Sequence, residues 1–278
     1  IMKQNNEYFM QNKDITILIP YTDNNVELLN KAIDNIKELE YDGTIKVRVI
    51  VPSAIQEIIS KIDVKDVEFI VNPGETDYCS QINYGVSKVD TEYFSIMEYD
   101  DHYNTKWFKM FNDYLRKYSD VSIFLPINVI HDVKSNAYDF VNHIAWSTGF
   151  TASQDNEEVA AMDNIGFITF NALKSVSLFN LTGGIFKTKD WLNYKPSIKV
   201  AFNYEYLLRA TNKGQMVYVV PKEGYYHEIF REGSLSSEYL ANMDDKENAA
   251  WFELAKSEYI YESDRHISIK NEKEETLK

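Results

Sequence analysis

Within the first hundred residues, four short runs rich in β-branched and aromatic residues alternate with stretches of helical periodicity, and this alternation constrains the fold more than any other feature. The runs are "DITILIPY" (14–21), "IKVRVIVP" (45–52), "VEFIVN" (67–72) and "EYFSIME" (92–98). After the first, Val26, Leu29, Ile33 and Ile36 fall on one helical face. "SAIQEIISKI" predicts a second helix starting at Ser53, and 78–89 a short one with Ile82 and Val86 inward. Strands alternating with helices of this length imply βαβ units, hence a parallel sheet with helices on both faces. Ligands of such sheets bind outside the carboxyl ends of the strands. Pro20-Tyr21, Asn72 and Asp100-Asp101 all fall at such ends, so they are expected to border one crevice.

The second half is less regular. The stretch 104–118 predicts an amphipathic helix with Phe108, Phe111, Leu115 and Tyr118 on one face, followed by a strand over 121–130 interrupted by Pro126. A helix is expected around Ala137 to Trp146, and strands at 165–170 and 173–180. The stretch 202–214 reads as a helix with Asn203 as its N-cap, a staple between Phe202 and Leu207, and Gly214 as its stop. "QMVYVVP" (215–221) reads as the last buried strand, and a terminal helix is expected over about 237–262. The expected organisation is one α/β domain over 1–265, with a nucleotide-binding half (14–101), an acceptor-side half (102–265) and a polar tail over 266–278 that does not pack.

Charge narrows the function classes. With 43 Asp and Glu against 29 Lys and Arg the chain carries a formal charge of −14, which repels a phosphate backbone and argues against nucleic acid as a partner. A phosphorylated ligand would need a divalent cation between its phosphates and the chain's carboxylates. The lone cysteine, Cys79, excludes an internal disulfide, and no run of eighteen apolar residues suggests an integral membrane segment. A soluble protein in a reducing cytoplasm is the expectation.

Against that background, "YFSIMEYDD" (93–101) ends a buried strand in Glu98, Asp100 and Asp101. An isolated Asp-Asp would be read as a solvated turn. Here it follows "NPGETDYCSQINYGVSKVDTEY" and precedes "LTGGIF", "FNYEYLLRATNKGQMVYVVP" and "YYHEIFREGSLS". In that order these segments resemble the nucleotide-sugar glycosyltransferases of the GT-A fold, in particular the inverting family two, over roughly residues 14–236. The resemblance implies a GT-A-like, mainly parallel α/β sheet and a D-x-D-D-type motif at Glu98 to Asp101. It also implies transfer of a monosaccharide, with inversion, from a nucleoside diphosphate sugar, UDP-sugar first, to an acceptor hydroxyl. Mn²⁺ or Mg²⁺ would sit on Asp100 and Asp101, hard oxygen ligands suited to such ions, with Glu98 at the ribose or behind the metal.

The remaining site residues follow from the same alignment. His227 is either a third metal ligand or a structural histidine, and Arg231 either neutralises the leaving diphosphate or pairs with Glu228 or Glu232. Pro20, Tyr21, Asn72, Gln81 and Asn83 are expected at the nucleoside, although Pro20 and Asn72 are also explained as a strand end and a turn. Gly183 and Gly184 would let the acceptor loop approach the donor. Two departures stand out. Glu98 replaces the first aspartate, and the Glu-Asp pair that carries the family's catalytic base reads Phe202-Asn203. Glu205 is the nearest carboxylate and the expected base, with Asp190 as fallback; a carboxylate near a helix start is equally explained by the macrodipole. The rival readings are a catalytically inactive GT-A-like module that binds nucleotide or glycan, and a nucleotidyltransferase. The latter usually has a glycine-rich basic loop after the first strand, which "PYTDNNVE" lacks.

Overall fold

The computed structural model describes residues 12–22, 25–62, 64, 66–147, 150, 165–232, 244–257 and 259. The first strand, β1 (Ile15–Pro20), is buried along its whole length, because β2 (Ile45–Pro52) and β4 (Tyr93–Ile96) pair with it in parallel on either side. β3 (Val67–Asn72) adds in parallel outside β2. Side chains alternate across β1: Leu18 enters one core, while Ile17 and Ile19 enter the other. Helix α1 (Val26–Lys37) covers the second face with Leu29, Ala32, Ile33 and Ile36, and the Asn25 side chain caps its start by accepting from the Leu28 N–H. Each such aliphatic side chain contributes about 1.5–3 kcal/mol when fully buried. Helix α2 (Tyr78–Val86), capped by Asp77, covers the first face and lies so close to β2 that a Cβ on Gly85 would strike Ile50.

Among the described residues the second half completes a ten-stranded sheet, eight strands of which run in the order β3-β2-β1-β4-β9-β6-β10-β5 with two more paired beside this path. β9 (Ile185–Lys187) runs antiparallel between β4 and β6 (Ile123–Asp132), and β10 (Val217–Ile229) is parallel to β6. The short β5 (His102–Tyr103) and β8 (Phe167–Ile168) pair antiparallel with β10. Helix α3 (Trp107–Lys117) buries Phe108, Phe111 and Leu115 as its pattern predicts. Two more helices, α4 (Phe170–Leu173) and α5 (Phe202–Asn212), pack on the α2 face, joined by α6 (Asp245–Lys256). No described helix is long and apolar enough to cross a membrane.

Several sequence expectations are corrected. In place of a helix around Ala137 to Trp146 the chain forms β7 (Ala137–Val141), antiparallel to β6, and a single 3₁₀ turn, His143–Trp146. Asp132 accepts from the Lys134 and Ser135 N–H groups and Asn136 takes a positive φ of 55°, which makes a hairpin loop. Pro126 does not interrupt β6, because β10 is out of register opposite it and no N–H is required there. The segment from Ser53 is 3₁₀ and kinked at Ile55, with Ile58 its sole buried residue. No strand forms over 174–180, where α4 ends. Asn203 is not a cap: α5 begins after Ala201, and the Asn203 side chain instead accepts from the Tyr194 hydroxyl at 3.1 Å. The last strand does not stop at Pro221 but continues through Gly224 to Ile229. The predicted tail (266–278) and much of the terminal helix lie outside the described residues.

Candidate active site

At the end of β4 the backbone folds into a tight turn, the Asp101 N–H donating to the Glu98 carbonyl at 3.2 Å, so that the two carboxylates stand side by side. Asp101 leads directly into β5, which pairs with β10 through Tyr103 opposite Tyr225 and His102 opposite Tyr226. The extension of β10 therefore matters chemically. Tyr225 and His227, two residues apart on one face of the strand, both reach Asp101. The Tyr225 hydroxyl donates to Oδ2 at 2.7 Å, His227 Nδ1 lies 2.7 Å from the same oxygen, and the Glu228 N–H donates to Oδ1 at 3.0 Å. The Tyr225 hydroxyl also accepts from the Glu98 N–H at 2.9 Å, which ties both acids to one side chain.

Burial pushes the Glu98 carboxyl up to about 7, with Asp101 and Asp100 adding to the rise and His227 opposing it. For His227, burial works against the charge, but Asp101, then Glu98 and Asp100, outweigh it and raise the imidazole to about 10. One ligand atom each from Glu98, Asp101 and His227 lies within 4.8 Å of the others, a spacing that one divalent ion could bridge. Two carboxylate oxygens and an imidazole nitrogen suit Mn²⁺, or Mg²⁺ with fewer protein contacts. Asp100 is not in that trio. It is paired with Arg231 through Nε at 3.0 Å and Nη2 at 2.9 Å, and Arg231 also donates to the Tyr99 hydroxyl at 3.1 Å. Neither the Glu228 nor the Glu232 carboxylate pairs with Arg231, which reaches Glu232 through its backbone carbonyl at 3.1 Å, and Phe230 before it takes a positive φ of 60°.

Two glycines shape the opposite wall. Gly183 has φ of 78°, its N–H donates to the Ile96 carbonyl at 2.8 Å, and a Cβ there would collide with the Tyr225 ring. Gly184 sits where a Cβ would come 2.7 Å from Leu125, and its carbonyl accepts from Ser95 Oγ at 2.7 Å. Thr182 and Tyr78 adjoin Glu98, and burial, reinforced by that carboxyl, holds the Tyr78 hydroxyl well above its ordinary range.

The other predicted residues divide. Pro20 and Tyr21 end β1, and Tyr21 is buried with its ring edge-on to Tyr99 at 5.3 Å. Asn72 spends its amide on its own turn, accepting from the Gly74 N–H and donating to the Glu75 carbonyl, each at 3.0 Å. Gln81 is fully buried and donates to the Thr76 carbonyl at 2.9 Å, while its Oε1 has no partner among the described residues. Asn83 is bonded at both ends of its amide to the backbone of Tyr194, at 2.8 and 2.7 Å, and pins the loop before α5. Glu205 is fully buried, accepting from Arg209 at 3.0 and 3.1 Å and from the Tyr259 hydroxyl at 2.8 Å, with Lys195 at 3.4 Å. Asp190 lies beyond the far end of β9 from Gly184 and accepts from Ser122 at 2.8 Å, so it does not join the acids. Sequence reasoning missed Tyr225, Thr182, Tyr78 and Tyr99. For Tyr225 a signal existed, the period-two placement of Tyr225 and His227 in "YYHEI".

No known family profile matches the sequence, and no curated protein matches it. In structure the chain is similar to S. aureus TarS. Over TarS residues 1–349 in complex with UDP-GlcNAc the TM-score is 0.56 at 14% identity, covering 83% of this chain and 61% of that one. The same TarS fragment with UDP gives 0.53 at 12% identity, covering 78% and 60%. The fold is GT-A-like. S. aureus TarS as solved over a longer chain gives 0.52 at 13% identity, covering 85% of this chain and 41% of that one, so the present chain spans 60–61% of the TarS fragment and 41% of the longer chain.

Proposed function

We propose that the chain is a glycosyltransferase of the inverting, family-two type that moves a monosaccharide from a UDP-sugar to an acceptor hydroxyl. The observation that carries this reading is the Glu98, Asp101 and His227 cluster at the carboxyl end of β4, in a fold shared with a protein solved with UDP and with UDP-GlcNAc. Mn²⁺ or Mg²⁺ held by that trio would take up the negative charge that develops on a departing diphosphate.

The chain's own residues supply the rest. Arg231, now on Asp100, is a cation placed to meet a diphosphate at the cluster. Pro20 and Tyr21 border the nucleoside, and Gln81, fully buried and bonded to the Thr76 carbonyl, backs that pocket from within the fold. Gly183, by leaving Tyr225 room, and Gly184, packed against Leu125, hold the acceptor side close. The carboxylate of Glu205 is already bound by Arg209, Lys195 and Tyr259, which argues for an anchor between α5 and the segment at Tyr259 over a base. The positions of the family's acidic pair are Phe202 and Asn203, and Asn203 engages Tyr194. That substitution favours the second reading, a module that binds the donor without transfer.

The discriminating experiment incubates a panel of UDP-sugars with Mn²⁺ and candidate acceptors and follows UDP release. Release that requires metal and disappears in Asp101→Asn supports transfer. Donor binding with no release by any member supports the binding module.

A further inference from the structure

A cavity of about 550 Å³, lined by none of Glu98, Asp101 and His227, is bounded by Asn104, Lys106, Phe140, His143, Lys222 and Glu223 over an apolar floor. Strand register separates the two places. Tyr226 lies opposite Val129 and Val129 opposite Phe140, so these three share one face of the β10–β6–β7 ladder. Tyr225 and His227, which hold Asp101, occupy the other face. Ile127, two residues before Val129, lies on the Phe140 side and forms part of the floor. The part of the lining that β6 and β7 contribute therefore turns away from Tyr225 and His227, while Asn104, Lys106 and Met110 come from the start of α3, and none of Glu98, Asp101 and His227 lines the cavity.

Its walls are fixed by the fold. The shifts of register in β10 on either side of Glu223 leave Lys222 out of the ladder and set Glu223 opposite Ile127, on one side of the cavity. The Asn104 N–H donates to the Gly224 carbonyl at 3.0 Å, which sets the opposite wall. His143 follows Asn142, whose positive φ of 74° is held by its side chain donating to the Pro126 and Asn180 carbonyls at 2.8 and 3.0 Å.

The lining has a definite chemistry. In a chain of charge −14, two lysines here face a single carboxylate, and neither Lys106 nor Lys222 has an ion-pair partner among the described residues. That complements an anionic ligand group. Glu223, however, has only a long contact of 3.5 Å from the Tyr226 hydroxyl, and beside Asn104 it offers an acceptor for ligand hydroxyls. A carboxylate inside the cavity disfavours a polyanion and fits a hydroxyl-rich ligand with one charged group. Phe140, 42% exposed, presents a ring at the rim, and the adjoining face carries the stacked pairs His102 with Tyr226 and His131 with Tyr138. Such rings pack against the C–H faces of pyranoses, with polar groups fixing the hydroxyls.

We propose that this cavity is a second glycan site, taking a sugar unit that bears a carboxylate or a phosphate, and lined by none of the residues of the acidic cluster. It stands apart from the transferase reading, since it would hold even for a chain that transfers nothing.

The test is calorimetric titration of the whole chain with trigalacturonate, glucose 6-phosphate, maltotriose and inorganic phosphate, each with and without saturating UDP and Mn²⁺. The expected result is binding of at least one anionic sugar, unchanged by UDP. It should weaken by about tenfold or more in Lys106→Ala/Lys222→Ala, a change of about 1.4 kcal/mol or more, and also in Phe140→Ala. Binding of trigalacturonate alone assigns the anion to a carboxylate, and of glucose 6-phosphate alone to a phosphate. Equal affinity for maltotriose, equal affinity for inorganic phosphate, displacement by UDP, or no binding at millimolar ligand overturns the proposal. Matching thermal midpoints of the variants and the parent establish that any loss is local.

Discussion

Replacing Tyr225 with Phe removes one oxygen atom from the candidate site and leaves its packing in place. The ring keeps its edge-to-face contact with Tyr103, 5.2 Å between centroids, and the room that Gly183 leaves for it. Two hydrogen bonds are lost. The bond to Asp101 ends on a carboxylate, a class that contributes about 1.5–3 kcal/mol, and the Glu98 N–H is left without its acceptor, which costs about 1–3 kcal/mol when the group stays dry. Water can reach part of this partly exposed turn, so the two terms overlap, and we expect Tyr225→Phe to lower stability by about 2–4 kcal/mol in total. Asp101 still accepts from His227 and the Glu228 N–H, so the fold survives while the carboxylate gains freedom. Urea unfolding followed by fluorescence and far-ultraviolet dichroism should show a lower midpoint with an unchanged slope, and Mn²⁺ affinity should fall in parallel. A loss below about 0.5 kcal/mol, the range of ordinary surface substitutions, would refute the claim that Tyr225 ties the two acids together.

Three further perturbations probe other parts of the account. Gly183→Ala puts a methyl group against the Tyr225 ring at a φ of 78°, so it should cost stability by about 1–3 kcal/mol, as overpacking does, and weaken UDP binding; unchanged UDP affinity would contradict the shared wall. Glu205→Gln leaves Arg209 and Lys195 around a neutral group and should destabilise by about 3 kcal/mol or more, whereas a thermal midpoint equal to the parent's with turnover abolished would restore Glu205 as the base. With no metal added, stability should fall as pH rises. Glu98 is raised from 4.5 to about 7, so its ionisation opposes folding progressively across that window, and His227 is raised from 6.5 to about 10, so its contribution is full below 6.5 and lost towards 10. Mn²⁺ should move the opposite way, binding more tightly and releasing protons as pH rises from 6 to 8; a pH-independent affinity would remove Glu98 from the ligand set.

The half of the fold built from βαβ units was legible because each signal is local. The period of Leu29, Ile33 and Ile36, the spacing of Ile82 and Val86 and the acids at the end of β4 require no knowledge of distant residues. The second half depends on pairings that sequence periodicity does not encode. β7 looked helical because its partner β6 was unknown, and β10 seemed to end at Pro221 because a proline tolerated opposite a register shift looks the same as a proline that stops a strand. The site followed the same division. Motif order pointed to Glu98, Asp100, Asp101 and His227 with the metal on Asp100 and Asp101, whereas the grouping of Glu98 with Asp101 and His227, and the preference of Asp100 for Arg231, are tertiary facts. The amides of Asn72 and Asn83 illustrate the limit most clearly: both lie in motif segments, and both are consumed by backbone groups, one by its own turn and the other by Tyr194.

The measurement that bears most directly on the central claim is titration of UDP into the protein with and without Mn²⁺, repeated with Asp101→Asn. The account predicts binding that depends on Mn²⁺ in the parent and loses that dependence, together with most of the affinity, in the variant. At a hundred times its dissociation constant UDP should also stabilise the parent by about 2.7 kcal/mol. Equal UDP affinity with and without metal, unaltered by Asp101→Asn, would contradict the assignment of Glu98, Asp101 and His227 as the site of a diphosphate-bound cation.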